Sequence, residues 1–205
     1  MKTHDVVLKG RFINLRPLES KDAELTLSWR LSSRSRYLNA GAQSVEAQEK
    51  WISSRANSEF NFIIELKDET SVGMISLIDI NNTHRRAEPS RFLIGNEKAV
   101  EGAPAAAEAM KLLFGFAFDE LKLLRMYGTV AADNTKMTTW NKFLGMKEEG
   151  RLRNHLFLDG KFMDAIFLSL LEPEYREITI PRLEWLLQIA AMTKICCTAH
   201  NSVMR

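Results

Sequence analysis

The sequence of 205 residues contains little cysteine or histidine, and both scarcities exclude kinds of site. Its two cysteines, Cys196 and Cys197, are adjacent, a spacing that suits neither a disulfide framework nor a zinc site. The four histidines also show no metal-ligand spacing. We therefore expect free thiols and no bound metal.

Long apolar runs and an excess of one charge are also missing. No stretch reaches the roughly 18 consecutive apolar residues of a membrane span, and residues 1–9 lack the apolar segment of a signal peptide. Lysine and arginine number 28 against 26 acidic residues, whereas nucleic-acid binding needs a clustered basic face. The expectation is a cytoplasmic protein with neither a membrane nor a nucleic acid as partner.

What the sequence does contain is a 45% apolar fraction, enough for a domain with a substantial core. Alternating and helical periodicities divide the chain into short elements separated by turn residues. The predicted strands cover 12–15, 60–66, 73–80, 90–94, 125–131, 151–158 and 162–171. The predicted helices follow the caps Ser20 and Ser44, cover 106–121, run from the cap Asn134 to Leu144, and cover 182–197.

The predicted order is β-α-α-β-β-β-α-β-α-β-β followed by an added C-terminal helix, which indicates an α/β fold with a mixed sheet. Asp159-Gly160 is a strong hairpin signal between the last two strands. We expect one domain over 1–171. Residues 172–205 form a helical extension that packs on this domain or on a partner subunit, which leaves a homodimer open.

Several segments carry a resemblance to a known family. They are Leu15-Arg16-Pro17-Leu18, Trp29-Arg30, the run 80–88, Asp133-Asn134-Thr135-Lys136, Phe143-Leu144-Gly145-Met146, Glu149-Gly150-Arg151-Leu152, Asp159-Gly160-Lys161 and Asp164. In this order and spacing, over about residues 10 to 171, the chain resembles the GNAT superfamily of N-acetyltransferases. The branch concerned contains spermidine, ribosomal-protein N-terminal and amino-sugar acetyltransferases.

The resemblance implies acetyl-CoA as co-substrate. In the family the fourth strand splays from the fifth, and the pantetheine arm pairs with the exposed strand backbone. The pyrophosphate rests on the start of the long helix, where backbone N–H groups and the helix dipole favour negative charge. The positions that match are Phe92, Leu93 and Ile94 on the strand, Gly102, Ala103, Ala105, Ala106 and Ala107 at the helix start, and Asn134 beyond it.

The helix start departs from the family pattern at two positions. Glu101 stands where a basic or polar residue is expected and repels phosphate, and Pro104 replaces a glycine and has no N–H to donate. Proline also suits the first turn of a helix. The sequence therefore leaves open whether Pro104 merely begins the helix or lowers the affinity for the coenzyme.

Two residues match catalytic positions. Glu88 matches a family carboxylate that takes a proton from the incoming ammonium, although a solvated charge at a strand end is an equal alternative. Asn141 stands where many relatives carry a tyrosine that protonates the departing sulfur. An amide donates a hydrogen bond but is no acid, so the resemblance implies either slower turnover or reliance on another group.

The sequence thus favours an N-acetyltransferase that moves the acetyl group of acetyl-CoA to a primary amine, without a metal. The acceptor is a polyamine or amino sugar, or a protein N-terminus. Trp29-Arg30 favours amino sugars and the run 84–88 favours polyamines, so the acceptor stays open. The alternative is a catalytically impaired protein of the same fold that acts in binding or scaffolding.

Overall fold

The computed structural model describes residues 6–55, 59–101 and 103–203, which form one mixed sheet with helices on both faces. The strands are β1 (Leu8–Lys9), β2 (Ile13–Pro17), β3 (Phe60–Leu66), β4 (Ser71–Asn81), β5 (Arg86–Ile94), β6 (Arg125–Ala131), β7 (Lys147–Leu158) and β8 (Lys161–Leu171). The helices are α1 (Ala23–Arg30), α2 (Val45–Ser53), α3 (Ala105–Gly115), α4 (Thr135–Phe143), α5 (Glu172–Glu174) and α6 (Ile180–Val203).

The sheet has the strand order β1-β2-β3-β4-β5-β6-β8-β7. Only β5 and β6 are parallel, and every other neighbouring pair is antiparallel. The α/β fold with a mixed sheet, predicted from the sequence, is confirmed. Every predicted helix and strand is present, and the two-residue β1 is added at one edge.

The core lies on both faces of the sheet because side chains alternate along each strand. On β3, Phe62 and Ile64 pack with Leu113 and Phe114 of α3 on one face. Ile63, between them, packs on the other face with the smaller cluster beneath α1 and α2, which includes Trp29. The sheet is therefore covered by α3 on one side and by the helices α1 and α2 on the other.

The start of α1 differs from the sequence prediction. Ser20 is not the cap; instead the Asp22 carboxylate accepts the Glu19 N–H at 2.9 Å and closes a short 3-10 turn over Ser20–Asp22. Leu25 of α1 is 39% exposed, whereas its polar neighbour Thr26 is fully buried. Thr26 satisfies its hydroxyl by donating to the Asp22 carbonyl at 2.8 Å, so a polar residue occupies the inward position.

The C-terminal segment packs on the body of the protein. Tyr175, in the π-helical turn Tyr175–Thr179, stacks on Phe118 with ring centroids 4.6 Å apart. Leu183 and Leu187 of α6 are buried in the same cluster as α3. The side chains of Cys196 and Cys197 lie outside the described part of the chain. No helix among the described residues is long and apolar enough to cross a membrane.

Candidate active site

A gap opens between β5 and β6. The two strands pair only at Arg86 with Arg125 and at Ala87 with Met126. Beyond Ala87, β5 continues along β4 alone, while β6 pairs with β8 over its whole length. The edge of β5 that faces the gap therefore has no neighbouring strand from residue 88 onward. A strand edge of this kind offers backbone donors and acceptors to an extended ligand.

A bulge reshapes this edge. The pairing with β4 passes from Ser76 with Ser90 to Met74 with Leu93, so β5 contains one extra residue. Arg91 lies there with a φ of 53°, in the left-handed region. Its side chain is held on one side, because Nη1 donates to Glu59 Oε2 at 3.1 Å and to Asn61 Oδ1 at 3.0 Å. Bulges of this kind redirect side chains and backbone groups next to active sites.

The gap holds a cavity of about 580 Å³, a volume within the usual range for small-molecule sites. Four of the predicted catalytic and cofactor-binding residues line it: Glu88, Phe92, Asn134 and Asn141. The side chains of Leu93 and Ile94, and the helix-start residues Ala103, Ala105, Ala106 and Ala107, do not line it. Gly102 lies outside the described residues.

Glu88 is the carboxylate of this cavity. It leans over Gly128 of β6, where an added Cβ would lie 3.5 Å from Glu88 Cγ. Burial raises the pKa of Glu88, the nearby charge of Asp79 raises it further, and Arg91 lowers it. A carboxylate whose pKa lies above its ordinary value is a stronger base, which suits proton transfer. Its partly buried position in the cavity favours a role in the site over a fully solvated strand-end charge.

Asp79 belongs to a second bulge, on β4, and has a φ of 47°. The Tyr127 hydroxyl donates a hydrogen bond to Asp79 Oδ2. Burial raises the pKa of Tyr127 to about 12, and the hydrogen bond to Asp79 contributes to the increase. Tyr127 therefore keeps its proton near neutral pH, and it does not line the cavity.

The two asparagines play different parts. Asn134 caps α4, since its Oδ1 accepts the Met137 N–H at 3.2 Å. Asn141 lies in the last turn of the same helix and lines the cavity. Among the described residues that line the cavity, Tyr37 is the only tyrosine. The position of the family tyrosine thus faces the cavity with an amide that has no acidic proton to give.

At the start of α3, some features favour binding of the coenzyme phosphates and one opposes it. Pro104 directly precedes the helix and its carbonyl accepts the Glu108 N–H at 3.0 Å, so it begins α3 without disturbing it. The first N–H groups of a helix have no intrahelical acceptor and suit an anion. Ala103, however, already donates its N–H to Val100 at 2.8 Å. The roles assigned to the helix-start residues therefore stay predictions.

Arg34 and Arg91 are cavity residues that belong to none of the sequence motifs. Arg30, Arg34 and Arg91 line the cavity, and only Arg30 belonged to a quoted segment. Arg34 Nε donates to the Ile94 carbonyl at 2.7 Å, so the loop after α1 is tied to the end of β5. No local signal marks Arg34, because the loop reaches the strand only in the folded chain.

Other predicted polar groups lie elsewhere. Arg85 donates to the Lys122 carbonyl at 2.8 Å and Arg86 lies 5.0 Å from the Tyr127 ring centroid. Asp164 binds Arg151 at 2.8 Å. None of these residues lines the cavity. The described residues contain no group of histidine, cysteine, aspartate and glutamate that could hold a metal ion.

Comparisons with known proteins fit this geometry. A sequence profile of the acetyltransferase (GNAT) domain matches residues 13–147. The spermidine N(1)-acetyltransferase of Escherichia coli is 32% identical over 118 residues, which span 58% of this chain and 61% of that enzyme. The match thus covers less than two thirds of that relative.

Solved structures give the same answer. Spermidine N-acetyltransferase from Vibrio cholerae, crystallised with CoA and spermine, superposes with a TM-score of 0.71 at 25% identity, over 80% of this chain and 98% of that one. A GCN5-related N-acetyltransferase from Brucella melitensis has a TM-score of 0.76 over 91% of this chain and 87% of that one. Its 20% identity shows the shared fold alone. With the domain profile covering more than half of its length, the chain belongs to the acetyltransferase (GNAT) family.

Proposed function

We propose that this protein is an N-acetyltransferase that moves the acetyl group of acetyl-CoA to a primary amine. The observation that carries the proposal is the cavity in which a partly buried carboxylate, Glu88, lies beside the unpaired edge of β5. The edge suits the amide-bearing arm of the coenzyme, and the carboxylate suits an amine. The relatives named for spermidine support an amine as acceptor.

Glu88 and the open edge of β5 can serve the proton transfer and the attack on the thioester. Glu88 accepts a proton from the incoming ammonium, directly or through water, and its raised pKa makes it a better base. The neutral amine then attacks the thioester carbonyl. Backbone N–H groups along the open edge of β5 donate to the carbonyl oxygen as it gains negative charge.

No acidic side chain is assigned to protonate the thiolate as it departs. Asn141 supplies a hydrogen bond to the sulfur but no proton, so the proton comes from solvent. Positioned acid catalysis contributes roughly 100 to 10,000-fold in other enzymes. We therefore expect a slower rate than in relatives with tyrosine at this position.

A second candidate is a binding or scaffolding protein that has lost turnover. Two observations favour it: Asn141 occupies the position of the acid, and the Ala103 N–H is already used within the chain. Such a protein would transfer no acetyl group, whether or not it binds acetyl-CoA.

Product formation separates the two candidates. The protein is incubated with acetyl-CoA and with polyamines, amino sugars or peptides, while released CoA thiol and acetylated amine are measured. We expect at least one acetylated amine, strongly reduced in Glu88→Gln and kept in Glu24→Gln, an exposed carboxylate on α1. Bound acetyl-CoA with no acetylated amine from any class would favour the binding protein.

A further inference from the structure

Three arginines line the cavity, and two of them are neutralised. Arg91 pairs with Glu59 at 3.1 Å, and Arg34 forms an ion pair with Glu97. Arg30 has no carboxylate within ion-pair distance among the described residues. The guanidinium of Arg30 donates one hydrogen bond to a described group, from Nη2 to the carbonyl of Asn39.

The Arg30 guanidinium is partly buried and held in place. It lies beside Gly41, where an added Cβ would come 3.1 Å from Nη2. Burial lowers the pKa of Arg30, and the positive charge of Arg91 lowers it further. A guanidinium has five N–H donors, and a buried charge without a counterion is costly. The cavity therefore holds a fixed cation with most of its hydrogen-bonding capacity unused by the described protein groups.

The cavity brings the carboxylate of Glu88 together with the three arginines. Arg91 is close enough to influence the pKa of both Glu88 and Arg30. Glu88, Arg91 and Arg30 line the same cavity, so an acceptor whose amine faces Glu88 can reach the arginines within it. A second ammonium on the acceptor would be repelled by the unpaired guanidinium of Arg30, whereas an oxyanion would be attracted to it.

We propose that the acceptor is an anionic amine, whose carboxylate or phosphate group binds Arg30 while its amine faces Glu88. The proposal rests on the proposed acetyl transfer and names the substrate class. Guanidinium binds both oxyanions through two parallel hydrogen bonds, which fixes orientation as well as affinity. A polycation such as a polyamine is disfavoured by the same arginines.

Matched amines test the substrate class. Putrescine and 5-aminopentanoate have the same chain length and differ in one end group, ammonium against carboxylate. Glucosamine and glucosamine 6-phosphate differ by one phosphate. We expect a KM at least about tenfold lower for the anionic member of a pair, and the pair that responds distinguishes carboxylate from phosphate. A lower KM for putrescine than for 5-aminopentanoate, with no gain from the phosphate, would overturn the proposal.

Variants place the effect on Arg30. We expect Arg30→Gln to raise the KM of the preferred anionic amine about tenfold or more, equal to about 1.4 kcal/mol, and to leave that of glucosamine and the acetyl-CoA Kd unchanged. Arg30→Lys keeps the charge but loses the two-pronged geometry, so an intermediate KM is expected. Arg153→Gln, an exposed arginine on β7, is the control for the loss of one charge. Equal KM values in Arg30→Gln and Arg153→Gln would refute the role of Arg30.

A binding measurement tests the anion site independently of acetyl transfer. Wild type, Arg30→Gln and Arg153→Gln are titrated calorimetrically with 5-aminopentanoate and with glucosamine 6-phosphate. Binding lost only in Arg30→Gln supports the anion site even if no amine is acetylated, in which case the proposed function alone fails. Absence of binding by the wild type, or the same affinity in all three proteins, overturns the anion site.

Discussion

Glu88 is a base only in its ionised form, and its surroundings decide at which pH that form is present. Burial and Asp79 raise its pKa above the ordinary 4.5. As the pH falls through this raised pKa, Glu88 becomes protonated and cannot accept a proton, so kcat/KM should fall on the acid side. We expect Glu88→Gln to lower kcat/KM by roughly 100 to 10,000-fold and to remove this acid limb. An unchanged acid limb in Glu88→Gln would assign the titration to another group.

Gly95 is a residue that sets the position of Trp29, the neighbour of Arg30. An added Cβ would lie 2.2 Å from Trp29 Cγ, a rigid ring atom. We expect Gly95→Ala to lower the free energy of unfolding by about 1 to 3 kcal/mol, the usual cost of overpacking. Urea unfolding measures this, with Gly150→Ala as control because nothing lies within 4 Å of its added Cβ. Equal urea midpoints for both variants would contradict the account.

At the residue scale, the sequence predicted part of the site. Glu88 and Asn141 were identified by matching family positions, and the structure places both at one cavity. The bulge at Arg91 depends on the register between β4 and β5, which no local pattern encodes. The unpaired state of Arg30 depends on which carboxylates fold near it, so only the structure reveals it.

Among the elements, α3 is tied to the N-terminal strand by one buried carboxylate. Glu108 is 3% exposed and its oxygens accept the backbone N–H groups of Arg11, Phe12 and Ile13 at 2.6 to 2.7 Å. We expect Glu108→Gln to lower the free energy of unfolding by about 1 to 3 kcal/mol, because an amide replaces one accepting oxygen with a donor and leaves a buried N–H unpaired. Chemical denaturation measures the loss, and Glu24→Gln is the exposed control. A loss no larger than that of Glu24→Gln would show that the three hydrogen bonds contribute little.

The long periodic elements were predictable and the short or charged ones were not. The limits of β3 and β6 agree with the sequence prediction, because both strands alternate clearly between turns. The first residues of β7, Lys147 to Glu149, are charged and exposed, so they resemble a loop. Lys147 and Glu148 nevertheless pair with β8 at the edge of the sheet, and the register shifts at Glu149. β1 has only two residues, too few for any periodicity.

For the whole molecule, the sequence leaves open whether the C-terminal helix packs on its own domain or on a partner subunit. The buried Leu183 and Leu187 show that α6 covers part of the core of this chain. Trp185, Ile189 and Met192 are exposed on the described part of the same helix. The homodimer stays a prediction, as does the division of the chain after residue 171.

The account of the whole molecule depends on one binding event, the capture of acetyl-CoA between β5 and β6. Calorimetric titration of the purified protein with acetyl-CoA tests it most directly. We expect micromolar affinity, on the order of 8 kcal/mol of binding free energy, because the open strand edge, the cavity and the start of α3 are all present. No detectable heat at millimolar acetyl-CoA would contradict the account and would mean that Glu101 and Pro104 have disabled the coenzyme site.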